Sequence, residues 1–117
     1  MKFPLHVGIL GGGQLSKMLA LSAYSLGIRP IIFASSKSDC ALDVAWEYFI
    51  DNGTIQQLKK FVKSCDLVVI ENEFVDLSRL KNALDRTPLQ PSIKCLSLIQ
   101  NKLHQKINLK KMGGGFT

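Results

Sequence analysis

Two short clusters of residues in this 117-residue chain have the types and spacing to do chemistry. The first is Gly11-Gly12-Gly13-Gln14-Leu15, which follows the apolar run Val7 to Leu10 and leads directly into an amphipathic pattern. Glycines allow a tight turn and a close approach of backbone to ligand. A helix that starts at such a turn presents free N–H groups and the positive end of its dipole, so it favours anions such as phosphate. Gln14 stands at the helix start, where its amide can reach a bound molecule. The second cluster is Glu71-Asn72-Glu73, after the apolar run Leu67 to Ile70. On extended chain, residues two apart point the same way. Two carboxylates facing one crevice can accept hydrogen bonds from sugar hydroxyls or an amine, or share a proton.

The surrounding pattern predicts the elements that position both clusters. Leu5 to Leu10 reads as a buried strand. Leu15, Met18, Leu19, Ala23 and Leu26 recur on one face of a helix from Gln14 to Leu26, which Gly27 closes. Ile28 to Ala34 is a second strand, apolar on both sides, as a sheet covered on both faces requires. Ser35 to Leu42 reads as a polar loop and Trp46 to Ile50 as a short strand. Thr54 can cap a helix over Ile55 to Lys63. A strand at Leu67 to Ile70, a helix at Leu77 to Leu84 and a brief edge strand at Arg86 to Gln90 follow. Two further helices are expected, over Ile93 to Ile99, capped by Ser92, and from Asn101 to Met112. Strands alternating with helices give an α/β fold: three layers, Rossmann-like, with a mainly parallel sheet. Ligands of such folds bind outside the carboxyl ends of the strands. Both clusters fall there.

The turn almost fits a dinucleotide fingerprint, with Ser16 at the third glycine position. An NAD site also wants an acid at the end of the second strand. That position reads Phe33-Ala34-Ser35-Ser36-Lys37, with no acid until Asp39. NAD is disfavoured, whereas Ser35 to Lys37 leave an NADP 2′-phosphate open. A plain structural turn and a solvated acidic loop are the alternatives for each cluster taken alone.

Composition narrows the class. The chain is 46% hydrophobic and 21% charged, as for one soluble domain. No apolar run reaches the roughly 20 residues of a membrane span, and no secretion signal is visible, so a cytoplasmic location is expected. Cys40, Cys65 and Cys95 form no metal-type spacing and read as reduced thiols. The net charge of +6 arises entirely after Leu58, and Lys94 to Lys111 holds five lysines and no acid. Without interleaved aromatics, and with its lysines spaced as on a solvated helix face, this tail reads as a surface that faces a nucleotide or another domain rather than nucleic acid.

With both clusters placed, the chain resembles the N-terminal, pre-ATP-grasp domain of the N5-carboxyaminoimidazole ribonucleotide synthases, ATP-grasp ligases of purine biosynthesis. The resemblance rests on Gly8-Ile9-Leu10-Gly11-Gly12-Gly13-Gln14-Leu15 with Met18-Leu19-Ala20, on Leu26-Gly27-Ile28, and on Cys65-Asp66 leading to Glu71 and Glu73. Gln100-Asn101-Lys102 with Gln105-Lys106 resembles the start of the family's central domain. Ser16, Asn72, Phe74 and Asn101 depart from the family pattern. The resemblance implies a pre-ATP-grasp domain over residues 1–100, with residues 101–117 a helix and the start of an ATP-grasp domain that the chain lacks. In the family, Mg-ATP and bicarbonate give carboxyphosphate, which carboxylates the amine of aminoimidazole ribonucleotide. Carried over by position, Gly12, Gly13, Gln14, Leu15, Glu71 and Glu73 would lie on the ribonucleotide, and Lys102 on ATP. The resemblance implies no catalytic residue or metal ligand in this chain, so ATP and Mg2+ belong to the full-length family and the chain alone is expected to be inactive. Apolar Leu103, Ile107 and Met112 would lack their usual neighbour, which leaves room for a homodimer. A free-standing NADP- or ribonucleotide-binding or interaction module is the alternative.

Overall fold

A computed structural model describes residues 4–70, 77–84 and 86–91. Its strands are β1 (His6–Leu10), β2 (Arg29–Ala34), β3 (Glu47–Ile50), β4 (Leu67–Ile70) and β5 (Leu89–Pro91). Its helices are α1 (Gln14–Tyr24), α2 (Ile55–Lys63) and α3 (Leu77–Leu84), with a 3₁₀ helix at Cys40–Val44. The sheet order is β3-β2-β1-β4-β5, and every pairing is parallel. The expected α/β architecture with a parallel sheet is therefore present. Among the described residues, no helix is long and apolar enough to cross a membrane. The expected helices over 93–99 and 101–112 lie outside the described residues.

The period of two in each strand sorts the core onto two faces. Val7, Ile9, Ile32, Ala34 and Val69 pack with Leu19 and Ala20 of α1. Leu10, Ile31, Phe33 and Val68 pack with Leu58, Phe61 and Val62 of α2 and with Leu80 and Ala83 of α3. The central strands are thus buried on both faces, which is why they read as continuous apolar runs. The polar helix faces turn to solvent, and the result is three layers.

Local chemistry sets the helix ends. Thr54 caps α2, its hydroxyl accepting the Gln57 N–H at 3.2 Å. Beyond α1, Ile28 N–H donates to the Ala23 carbonyl and Gly27 N–H to that of Tyr24. This Schellman pair places Gly27 at φ +74°, where an L side chain is strained.

Phe61 is the anchor of the α2 face. It is fully buried and meets Phe33 at 5.1 Å and Phe49 at 6.0 Å between ring centroids. Gly8 lies directly opposite. A Cβ on Gly8 would collide with Cys65 Sγ and come within 2.6 Å of Phe61 Cζ. The missing side chain in β1 is what lets α2 sit so close to the sheet. Burial pushes the Cys65 thiol up to about 12, with the charges of Asp66 and Glu47 adding to the effect. Its S–H donates to the Phe61 carbonyl at 3.1 Å. Cys65 is accordingly a neutral packing group.

Candidate functional site

Chain order reverses at β1. The strands that follow it first step to β2 and β3 on one side, then cross to β4 on the other. Crevices form outside the carboxyl ends of strands at such a reversal. Leu10 pairs with Ile70, so β1 and β4 end level with each other. The glycine turn leaves β1 at this edge. Residues 71–76, which follow β4 in the chain and include Glu71 and Glu73, lie outside the described residues, as does Lys102.

Each glycine of the turn has its own role. Gly11 takes φ +131°, a conformation reserved for glycine. Its N–H donates to the Phe33 carbonyl at 2.9 Å, which continues the β1–β2 ladder by one residue. Gly12 is buried under the loop after β2. A Cβ there would collide with the Asp39 carboxylate and come within 2.6 Å of Asp39 Cβ. The Gly12 carbonyl accepts the Ala41 N–H at 2.9 Å and lies 3.8 Å from the Cys40 thiol. Gly13 is different. It is exposed, and a Cβ on it would meet nothing within 4 Å. It is also the N-cap of α1 and offers no side chain to the helix start. No acid occupies the first turn of α1. Free space and a helix start with no side-chain cap therefore coincide at Gly13.

Gln14 is exposed beside Gly13, and its Oε1 accepts from the Cys40 thiol at 3.7 Å. Leu15 packs its side chain against the α1 face of the core, so its backbone N–H is what it can offer a ligand. Ser16, at the third glycine position, is fully buried, and its small side chain lets α1 lie close to the sheet.

One residue of this edge is not evident from spacing. Asp39 stands five residues after the end of β2, too far for the acid of a dinucleotide site. The turn over residues 36–39, closed by Asp39 N–H on the Ser36 carbonyl, folds it back. Its Oδ2 then accepts from Ser35 N at 3.0 Å and from Ser35 Oγ at 3.1 Å. A carboxylate thus stands at the tip of β2 after all. It occupies the Ser35 donors that the NADP alternative would use. The stretch expected as a loop to Leu42 turns into the 3₁₀ helix at 40–44. It is held by the Ala41–Gly12 bond, by Tyr24 Oη donating to the Val44 carbonyl at 2.8 Å, and by Lys17 Nζ at 3.7 Å from Asp43.

Next to this edge, Asp51 follows β3 and accepts from Arg79 of α3 at 2.9 Å. Partial burial would push its carboxyl up. The Arg79 hydrogen bond, the Gly53 N–H and the Arg79 charge outweigh that and hold it below the ordinary value of 3.8. A carboxyl depressed in the folded state stabilises the fold above its unfolded pKa, and that stability is lost as pH falls through the folded value. The urea midpoint is therefore expected to drop below about pH 4. In Asp51→Asn that acid limb flattens; an unchanged limb would show that the pair does not couple to folding.

No group of three His, Cys, Asp or Glu side chains able to hold a metal occurs among the described residues. Among the described residues this edge presents the backbone at the start of α1, the Gln14 amide, the Asp39 carboxylate with the Ser35 hydroxyl on it, and the Cys40 thiol.

The ribonucleotide synthetase preATP-grasp domain, as a family profile, matches residues 5–100. The N5-carboxyaminoimidazole ribonucleotide synthase of Staphylococcus aureus (strain COL) is 30% identical over 117 residues, covering 97% of this chain and 30% of that protein. The phosphoribosylaminoimidazole carboxylase of Saccharomyces cerevisiae is 36% identical over 113 residues, covering 92% of this chain and 20% of that protein. Among solved structures, the Staphylococcus aureus N5-carboxyaminoimidazole synthetase complexed with ADP superposes with a TM-score of 0.69 at 30% identity, covering 97% of this chain and 31% of that one. The chain thus spans about a third or less of the length of the relatives it matches.

Proposed function

Because the chain belongs to the ribonucleotide synthetase pre-ATP-grasp domain family, we propose that it forms the ribonucleotide-facing wall of an N5-carboxyaminoimidazole ribonucleotide synthase. The observation that carries this reading is the open, uncapped helix start at Gly13, set at the strand-order reversal. In this reading the N–H groups following Gly12 and Gly13 receive the anionic end of aminoimidazole ribonucleotide. Gln14 and the backbone of Leu15 orient it, and Glu71 and Glu73 take its hydroxyls or amine. ATP and Mg2+ supply activation of bicarbonate in the whole enzyme. Lys102 is the residue assigned toward ATP, and the ATP-grasp domain is the partner that completes the site. The free thiols Cys40 and Cys65 suit a reducing, cytoplasmic setting.

The 117-residue segment alone is expected to bind the ribonucleotide without turning over ATP. At a hundredfold excess over its dissociation constant, a ligand selective for the native state adds about 2.7 kcal/mol of stability. Aminoimidazole ribonucleotide should therefore raise the melting temperature, and NADP should not. Gly13→Ser places a hydroxyl on the helix start without a clash. It is expected to leave the ligand-free melting temperature unchanged or slightly higher, since serine caps better than glycine by a few tenths of a kcal/mol. The ribonucleotide shift should fall away in the same variant. A full shift in Gly13→Ser, or a shift with NADP alone, overturns the reading. ADP formation by the segment with ribonucleotide and bicarbonate would overturn the claim that it is inactive alone.

A further inference from the structure

A groove of about 750 Å³ lies between α2 and α3, on the face of the sheet opposite α1 and apart from the glycine turn. Lys59, Lys60 and Lys63 of α2 and Lys81 of α3 line it. All four are exposed, and none makes an ion pair among the described residues. No described residue of the lining is acidic; the remaining polar groups are the Gln56 and Asn82 amides and the Thr87 hydroxyl. The floor is apolar, from Val62, Ala83 and Leu84. Lys59 and Lys63 are one helical turn apart, and like charges at that spacing repel. The C-terminal dipoles of α2 and α3 favour Lys60, Lys63 and Lys81. They do not explain Lys59, or why all four lysines line one concavity.

We propose that this groove is a binding site for a small organic polyphosphate, held by the four lysines and seated on the apolar floor. Four mobile ammonium groups suit phosphate, which lysine binds as a point charge. The volume fits a nucleotide-sized molecule, and an apolar floor with few polar groups is how such sites hold the organic part. The site is independent of the ribonucleotide reading, since it shares no residue with the glycine turn.

The test uses the 117-residue chain, labelled with nitrogen-15, and follows backbone amide shifts at low ionic strength. Inorganic tripolyphosphate and uridine diphosphate are the probes. Both are expected to shift amides of residues 56–63 and 81–87 in a saturable way, with an affinity that falls as salt is added. Lys59→Gln combined with Lys63→Gln should weaken both probes by about tenfold, whereas Lys37→Gln, on the far edge, should not. Circular dichroism melts of the variants check that the fold is intact, and Lys81→Gln provides a second variant on the other wall. Shifts confined to residues 11–15, no saturation, or equal loss in Lys37→Gln would overturn the proposal. So would tighter binding of the same amides by a glutamate-rich peptide or a single-stranded RNA, either of which would assign the groove to a macromolecule.

Discussion

Phe61→Ala is expected to cost about 3–5 kcal/mol, the range for deleting a large buried aromatic. Domains of this size hold about 5–15 kcal/mol in all, so the variant should sit near the edge of folding at room temperature. The size follows from position. Phe61 is fully buried, meets Phe33 at a tilt and Phe49 edge-on, and fills the space that Gly8 leaves in the middle of β1. Both β1 and β2 rest on it, so little can collapse into the cavity. At this chain length each kcal/mol moves the melting temperature by roughly 4 °C, and a fall of about 12–20 °C is the readout. The same geometry predicts a coupling. Gly8→Ala alone overpacks the contact and should cost about 1–3 kcal/mol. In the Phe61→Ala background its methyl enters space already vacated, so the double variant should be less destabilised than the sum by at least about 0.5 kcal/mol. Strict additivity would mean that Cys65, the other neighbour of Gly8, sets the contact and that Phe61 does not.

The elements that sequence reading locates well are those whose signals are local. α2 spans Ile55–Lys63 as expected because Thr54 caps it and Leu58, Phe61 and Val62 recur on one face. β4 and α3 also have the expected bounds. β5 is shorter and later than the expected Arg86 to Gln90: it covers Leu89–Pro91, because Thr87 N–H still closes a turn on the Leu84 carbonyl, and its end at Pro91 is what an edge strand tolerates. The 3₁₀ helix at 40–44 has no periodic pattern to announce it. Its bonds reach back to Gly12 and Tyr24, which sequence spacing does not reveal. Asp39 escapes a reading by spacing for the same reason. Distance along the chain excludes it from the tip of β2, and a turn over residues 36–39 brings it there. The four lysines of the α2–α3 groove are visible in sequence only as part of a basic second half, because their convergence needs two helices side by side. Of the candidate site, the glycine turn and Gln14 are legible from composition and order. That β1 and β4 end level is a property of register and can be read only in space.

Gly12 tests whether the closed packing of this edge matters. Gly12→Ala drives a methyl into Asp39, against both its carboxylate and its Cβ. The loop cannot simply swing away, because Ala41 N–H is bonded to the Gly12 carbonyl and the carboxylate to Ser35. The expected cost is about 1–3 kcal/mol, the usual range for inserting a methyl into a packed site. The functional effect should exceed the stability effect. Displacing residues 39–41 also moves Cys40 from Gln14 and opens the wall beside Gly13, so the ribonucleotide-induced rise in melting temperature should be lost. A rescue separates this mechanism from general damage. Asp39→Ala keeps the Cβ that stands 2.6 Å from the new methyl, so it should rescue poorly. Asp39→Gly removes that atom and the carboxylate together. In the Gly12→Ala background, Asp39→Gly should recover most of the lost stability, although the same change in the parent chain loosens the loop by freeing Ser35. Equal rescue by alanine and glycine would place the conflict at the carboxylate alone. No rescue by either would mean that the lost stability does not come from the conflict with Asp39.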